Sequence, residues 1–312
     1  MQLDVSPAVL WSLSGLYAIL IGASLIVVLL RWRGPDNQRA ELVQRIRSWW
    51  IIVTLFTLAM VMSRQVAVVF FALVSFLALK EYLSIVPTRR ADRRVLFWAY
   101  LSIPLQYYWV AQAWYGMFII FIPVYVFLLL PMRMVLIGET KEFLRAAGTL
   151  HWGVMTLVFG ISHIAYLLVL PQEKNPGAGG AGLVLFLVFL TQFNDVAQYI
   201  WGKLLGRHKI IPKVSPNKTW EGFLGGVATT TLLAFLLSRW LTPFGWPWAL
   251  VAGVLISVAG FIGDVTISAL KRDIGLKDTG TLLPGHGGIL DRIDSLTYTA
   301  PLFFHFIFYL HY

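Results

Sequence analysis

The chain alternates between long apolar stretches and short polar connections. Ten stretches are apolar enough to be candidates for crossing a membrane, and they cover residues 9–30, 49–62, 66–86, 95–110, 114–137, 149–170, 183–202, 222–238, 247–268 and 295–311. The second and fourth are short, so the pattern allows eight to ten crossings. The sequence therefore predicts an all-α polytopic membrane protein with about ten transmembrane helices.

Basic residues are distributed unequally among the connections. If the N-terminus is outside, the connections after the odd-numbered stretches face the cytoplasm. These connections and the adjoining helix ends contain all of the 25 Lys and Arg residues except Arg64, Lys174 and Arg239. Because Lys and Arg accumulate on the cytoplasmic side, the sequence predicts ten crossings of a cell inner membrane, with both termini on the outer side.

Composition supports this class of protein and narrows its chemistry. Of the 312 residues, 58% are hydrophobic and 13% are charged, whereas soluble chains average about 25% charged residues. The absence of Cys excludes disulfides, thiolate catalysis and Cys-based metal sites. The net charge of +10 collects on one face, and we expect that face to contact membrane lipid rather than nucleic acid.

The most polar passage lies between the ninth and tenth apolar stretches. Four of its residues recur at helical spacing and would share one face: Asp264, Ser268, Lys271 and Arg272. A glycine-rich segment follows, and the passage closes on Asp291, Arg292 and Asp294. Carboxylates, cations and bare backbone near a membrane surface suit a divalent metal and phosphate groups.

A second polar region follows the seventh apolar stretch. Asp195 lies at the end of that stretch, where an unpaired acid is costly, and Tyr199 one turn later could share its cavity. Ser215 followed by Pro216 predicts a helix start with Ser215 as the N-cap. Lys218 and Thr219 would then lie in the first turn, where backbone N–H groups attract anions. The alternative is an ordinary capped helix with topology-setting lysines.

The residues from Ser268 to Ser295 resemble the signature of the phosphatidate cytidylyltransferases, the CDP-diacylglycerol synthases. The matching elements are Ser268, Lys271-Arg272, Lys277-Asp278, His286-Gly287-Gly288, Asp291-Arg292 and Asp294. Asn194-Asp195 and the run from Ser215 to Gly222 extend the resemblance to roughly residues 190–300. Gln198 separates Ala197 from Tyr199, where the family has adjacent Ala and Tyr, and this departure suits a divergent paralogue.

This resemblance implies transfer of CMP from CTP to phosphatidate, with release of pyrophosphate. It implies a Mg²⁺-containing centre at Asp264 and Asp291, leaves a second metal ion open and makes a homodimer plausible. Lys271 and Asp195 would join these two acids in catalysis. The substrates would contact Ser215, Lys218, Thr219, Ser268, Arg272, Lys277, Asp278, His286, Gly287, Gly288 and Arg292. Residues 181–312 would then form the cytoplasm-facing catalytic region, with residues 1–180 as supporting helices.

Other interpretations of these residues stay open. A related enzyme could act on another lipid phosphate, and a transporter of an anionic substrate also places charges at broken helix ends. A CDP-alcohol phosphatidyltransferase would show paired acids flanking a glycine on one helix, a motif that the sequence lacks. The two proposed metal-binding acids could instead pair separately with cations, Asp264 with Lys271 or Arg272 and Asp291 with Arg292.

Overall fold

The computed structural model describes residues 6–31, 37–280 and 287–312, without the side chains of residues 30, 31 and 37–41. These residues form ten long helices and one short one, besides two 3₁₀ turns at Arg90–Asp92 and Gln172–Lys174. Their bounds are α1 Pro7–Arg31, α2 Asn37–Met62, α3 Arg64–Ile85, α4 Arg93–Ala111, α5 Tyr115–Val135, α6 Phe143–Leu167, α7 Gly179–Leu205, α8 Trp220–Leu241, α9 Trp246–Asp273, the short α10 Leu290–Ile293 and α11 Leu296–His311. Each predicted apolar stretch corresponds to one long helix.

Eight of these helices, α1–α3 and α5–α9, are long and apolar enough to cross a membrane. This number lies within the predicted range and confirms the all-α polytopic membrane class. The second stretch, predicted as short, belongs to a 26-residue helix whose first turns carry its polar residues. The bounds predicted from the sequence are narrower than the helix itself, because polar residues at helix ends lower the local hydropathy.

The path of the chain favours a crossing by α4 as well. Glu81, near the end of α3, accepts hydrogen bonds from the backbone of Ile289 and Leu290 at the start of α10. Six long helices separate these points, and the chain returns to the same end only after an even number of crossings. Five of them, α5–α9, are long and apolar enough to cross, so a crossing by α4 would make the number even. Its 19 residues span about 28 Å, close to the thickness of a bilayer core.

Small residues and one buried amide bring α7, α8 and α9 close together. A Cβ at Gly222 of α8 would lie 2.7 Å from the Gln198 carbonyl of α7, so only glycine permits this approach. The Oδ1 atom of buried Asn194 accepts hydrogen bonds from Thr230 at 3.1 Å and Ser257 at 2.5 Å. Asn194 therefore links all three helices near their middles and fixes the position of the neighbouring Asp195.

Candidate phosphate-binding site

Lys218 and Asp264 form the first ion pair of the site. Lys218 Nζ lies 2.5 Å from Asp264 Oδ2 and donates to Gln198 Oε1 at 3.1 Å. Ser268, one turn after Asp264, donates to its other oxygen at 3.3 Å. Burial lowers the pKa of Lys218, but the carboxylates of Asp264 and Asp195 outweigh that effect and raise the net value. Lys218 is therefore a firmly charged cation among acids.

Three carboxylates share this environment. Asp195, Asp264 and Asp294 lie near enough to act on one another electrostatically. Burial, together with the charges of Asp264 and Asp195, raises the pKa of Asp294 well above its ordinary value. Ser295 donates to Asp195 Oδ2 at 2.9 Å, but Asp195 Oδ1 is buried without a hydrogen-bond partner among the described residues. Acceptors here exceed donors, which favours binding of a cation.

Lys271 and Asp291 form the second ion pair, with 2.7 Å between Lys271 Nζ and Asp291 Oδ1. The other oxygen accepts from the Thr279 backbone and hydroxyl, each at 2.9 Å, and from Gly288 N at 3.1 Å. Burial raises the pKa of Asp291, but the hydrogen bonds from Lys271 and Thr279 outweigh it and hold the pKa below its ordinary value. Asp291 is a saturated, fully ionised acceptor.

The segment before α8 folds differently from the prediction. Thr219, not Ser215, is the N-cap of α8, and its hydroxyl accepts from Gly222 N at 3.2 Å. The chain folds back on itself across residues 208–220. Ile210 N donates to the Lys218 carbonyl, and Trp220 N donates to the His208 carbonyl. This pairing holds residue 219 extended, so Ser215 and Pro216 lie in a turn and the predicted helix start is wrong.

Glu221 fixes the other end of the same segment. Its Oε2 accepts the backbone N–H groups of Arg207 at 3.0 Å and His208 at 3.2 Å, and its Oε1 lies 2.6 Å from His208 Nδ1. The free N–H groups at the start of α8 would also favour this carboxylate. The segment is therefore tied down at both ends, and Lys218 is presented toward Asp264.

The remaining predicted residues have several environments. Arg272 donates to the carbonyls of Val214 at 3.2 Å and Leu276 at 3.2 Å, so it holds backbone segments together. Arg292 has a buried Nε without a partner among the described residues, and its charge acts on Asp195. Tyr199 is 66% exposed, so the prediction that it shares a cavity with Asp195 is wrong. Lys277 and Asp278 are exposed, and His286 lies outside the described residues.

The glycines that follow His286 in the sequence are required by their neighbours. Gly287 has a φ of 77°, and a Cβ there would lie 2.5 Å from Asp291 Oδ2. A Cβ at Gly288 would collide with the Glu81 carboxylate. Bare backbone therefore lets two carboxylates approach this segment closely.

Sequence reasoning missed four contributors to the site. Glu81 binds the α10 backbone from α3, Thr279 binds Asp291, Gln198 binds Lys218, and Asp294 joins the acidic group. The signal for Glu81 was an acid in the last turns of an apolar helix, where an unpaired carboxylate is costly. Asp294 was recognised as part of the signature but was not assigned to the site.

The oxygen donors of the site fit a hard divalent cation. Carboxylates are the ligands that Mg²⁺ prefers, and it needs only one or two of them. The described residues contain no cluster of three His, Asp or Glu side chains arranged as a complete metal cage. Asp264 acts electrostatically on Asp195, whose Oδ1 has no hydrogen-bond partner among the described residues. Asp291 Oδ2 is occupied by Thr279 and Gly288, so a metal ion at Asp291 would bind Oδ1, where Lys271 is the donor.

The fold and the site together define a polytopic membrane protein whose paired lysines and carboxylates suit phosphate chemistry. The chain belongs to the cytidylyltransferase family, whose model matches residues 43–310. This match confirms the resemblance found in the residues from Ser268 to Ser295. It supports an enzyme of the nucleotidyltransferase class.

Relatives of two kinds share the sequence. Uncharacterized protein YnbB of Escherichia coli (strain K12) is 48% identical over 301 residues, which cover 96% of this chain and 99% of that protein. Phosphatidate cytidylyltransferase of Haemophilus influenzae is 43% identical over 141 residues, 42% of this chain and 47% of its own. The enzyme of that name from Staphylococcus epidermidis is 40% identical over 124 residues, 39% and 48% of the respective chains. The chain thus matches about half the length of these two enzymes.

Proposed function

We propose that this protein transfers CMP from CTP to phosphatidate, forming CDP-diacylglycerol and pyrophosphate for phospholipid biosynthesis. The observation that supports this most directly is the convergence of Lys218, Asp264, Lys271 and Asp291. They come from three parts of the chain and form two ion pairs at one end of a membrane helix bundle. The family match and the relatives named phosphatidate cytidylyltransferase favour the same reaction.

The chemistry needs positioned charge more than an activated nucleophile. The phosphomonoester of phosphatidate is itself an anionic nucleophile near neutral pH. One of its oxygens bonds to the α-phosphorus of CTP, the bond from that phosphorus to the bridging oxygen breaks, and pyrophosphate leaves with the electron pair. The obstacle is repulsion between the two anions. Lys218 and Lys271 can offset it by contacting phosphate oxygens while they hold the reactants in line.

Mg²⁺ is the proposed cofactor, with Asp264 and Asp291 as its ligands. When bound, it would neutralise phosphate charge and stabilise the leaving pyrophosphate. For Asp291 this requires Lys271 to leave Oδ1, and an arriving phosphate would offer that lysine another anion. The surplus carboxylates of Asp195 and Asp294 also accommodate a second cation in this proposal.

A second candidate is transfer of CMP to a different lipid phosphate. Gln198 favours it, because this residue departs from the family pattern and contacts Lys218 in the site. A lipid phosphate with another headgroup or acyl arrangement would use the same nucleotide chemistry. The two candidates differ only in which acceptor is consumed.

The test uses purified protein in detergent with CTP, Mg²⁺ and a panel of lipid phosphates. We expect pyrophosphate and CDP-diacylglycerol with phosphatidate. If a CDP-lipid forms only with another lipid phosphate, that lipid replaces phosphatidate as the proposed acceptor. Release of CMP from a CDP-lipid and an alcohol would instead indicate a phosphatidyltransferase, and absence of nucleotide turnover in every arm would favour transport.

The proposed site faces the cytoplasm, where CTP is available. Reporter fusions after Gly206 and after Asp278 are both expected to give a cytoplasmic signal, because basic residues collect on this side. A periplasmic signal from either fusion would contradict this orientation.

The homodimer expected from the family resemblance can be tested by light scattering of the purified protein with the detergent contribution subtracted.

A further inference from the structure

Glu81 lies near the end of α3 and is held by the backbone of a distant segment. Its Oε2 accepts from Ile289 N at 2.8 Å, and its Oε1 accepts from Leu290 N at 3.1 Å. The hydroxyl of Thr279 lies 2.5 Å from the same Oε1. Glu81 therefore contacts the residues on both sides of the segment 280–288 at once.

The surroundings of Glu81 are built to receive a carboxylate. Gly280 and Gly288 leave bare backbone around it: a Cβ on Gly280 would lie 3.3 Å from Oε2, and one on Gly288 would collide with Oε1. Two successive N–H groups at the start of α10 point at the carboxylate oxygens, an arrangement that favours negative charge. A neutral side chain of the same shape would satisfy these donors less well.

Thr279 connects Glu81 to Asp291. Its hydroxyl oxygen lies 2.5 Å from Glu81 Oε1 and 2.9 Å from Asp291 Oδ2, and its backbone N–H donates to Asp291 Oδ2 at 2.9 Å. The hydroxyl carries one proton, so the two carboxylates share a single donor. Gly288, next to Ile289, donates its N–H to Asp291 as well. Displacing Glu81 would therefore disturb three of the contacts that orient Asp291.

We propose that Glu81 is a positioning residue: it holds together the two ends of segment 280–288 and thereby orients Asp291 toward the metal and phosphate groups. This inference rests on the proposed function. It also assigns to a helix of the N-terminal half a part in the site. A carboxylate that only caps α10 would stabilise the fold without affecting how Asp291 responds to Mg²⁺.

The test compares Glu81→Gln with the matched variant Glu142→Gln, which removes an exposed acid whose partner Arg145 is 3.8 Å away. For Glu81→Gln we expect faster amide hydrogen exchange in residues 287–293 and about a 10-fold higher Mg²⁺ concentration for half-maximal turnover, as for other groups that orient metal ligands. Glu142→Gln should change neither. Unchanged exchange in Glu81→Gln would overturn the proposal, and so would an unchanged Mg²⁺ requirement.

A double variant tests the connection through Thr279. If Glu81 acts through that hydroxyl, Glu81→Gln combined with Thr279→Val should lose little more activity than the more damaging single variant. Losses that multiply would contradict this connection. If Glu81→Gln fails to fold, Glu81→Asp keeps the charge with a shorter reach, and it should show the same rise in Mg²⁺ requirement; an unchanged requirement there would also overturn the proposal.

The exchange measurement separates this inference from the proposed reaction. It needs neither CTP nor phosphatidate, so it reports on segment 287–293 even if the wild-type protein produces no CDP-lipid. Absence of turnover in the wild-type protein would contradict the proposed function. Wild-type exchange in Glu81→Gln would remove the positioning role while leaving the reaction in place.

Discussion

The two lysine–carboxylate pairs of the site have different surroundings. The side chains of Lys218 and Asp264 are 19% and 21% exposed, and they lie among the surplus acids Asp195 and Asp294. The side chains of Lys271 and Asp291 are 12% and 5% exposed, and backbone and hydroxyl donors complete the coordination of Asp291. The first pair is the more exposed and is short of donors, whereas the second is more enclosed and its carboxylate has more donors.

This difference separates two tasks that an ion pair can perform. An accessible pair with excess negative charge can exchange partners when a cation or a phosphate arrives, at little cost to the fold. An enclosed pair contributes to the fold, because removal of one partner leaves a charge away from water. We therefore expect substitutions at Lys218 and Asp264 to affect mainly turnover, and those at Lys271 and Asp291 to affect turnover and stability together.

The largest effect is expected from the acids themselves. Asp264→Asn and Asp291→Asn should each lower turnover by about 10³-fold, roughly 4 kcal/mol, because each removes a proposed metal ligand. The double variant should lose little more than either single one, since residues that act as a unit are not additive. The measurement is pyrophosphate release as Mg²⁺ is titrated, with chelator as the zero point.

Thermal unfolding of the same proteins distinguishes the two pairs. Asp264→Asn should unfold near the wild-type midpoint, while Asp291→Asn should unfold earlier because Lys271 loses its enclosed partner. Near-normal turnover of either variant at low Mg²⁺, or wild-type activity that persists in chelator, would contradict the metal assignment.

The lysines should show the same division with smaller losses. Lys218→Ala should lower kcat/KM by the equivalent of roughly 1.5–3 kcal/mol of transition-state stabilisation, the value of a charge-assisted contact to phosphate. The free energy of unfolding should change little. Lys271→Ala should also destabilise the fold by about 3 kcal/mol, because Asp291 remains buried without its cation. Steady-state kinetics and denaturation report the two quantities, and Arg47→Ala serves as a remote basic control. Equal stability losses for both lysines would remove the distinction.

A pair of glycine substitutions tests how tightly Asp291 is enclosed. Gly287 and Gly275 both have φ near +75°, but a Cβ at Gly287 would meet Asp291 Oδ2 at 2.5 Å, whereas a Cβ at Gly275 meets nothing within 4 Å. Each Ala variant should cost about 1 kcal/mol of backbone strain. Gly287→Ala should in addition lower turnover by about 10-fold through Asp291. Equal turnover of the two variants would show that Asp291 has room to move.

The smallest effect concerns the start of α8, which adjoins Lys218. Thr219→Ala should cost about 1 kcal/mol of stability because it removes the N-cap hydrogen bond to Gly222. Ser215→Ala should change stability by less than about 0.5 kcal/mol, as surface substitutions usually do. Chemical denaturation in detergent compares them. A larger loss at Ser215 would favour the helix start predicted from the sequence.

The fold was largely predictable from the sequence because membrane helices follow a local rule. A helix in a bilayer satisfies its own backbone hydrogen bonds, so a run of apolar residues is sufficient to place it. All ten predicted stretches correspond to long helices, mostly within a few residues at each end. The start of α8 was mispredicted because its position depends on pairing across residues 208–220, which the local preference of Ser215 and Pro216 does not include.

The sequence predicted which residues belong to the site but not how they pair. The signature residues that the structure describes do collect at one end of the bundle, but their partners are not the sequence neighbours. Asp264 pairs with Lys218 from the segment before α8 and not with Lys271 or Arg272 on its own helix. Asp291 pairs with Lys271 and not with the adjacent Arg292. Helical spacing identifies a shared face, whereas these partners are chosen by packing between distant elements.

The contact between Glu81 and the α10 backbone also bears on how the protein is made. It joins residues 208 and 209 positions apart, and six long helices are synthesised between them. Contacts of such long sequence separation form late, because the ends of a long chain must first be brought together. During insertion of the growing chain, Glu81 can therefore meet these backbone donors only after almost the whole polypeptide has been translated. A chain that stalls before α10 therefore lacks the contacts that tie Glu81 to the segment containing Asp291.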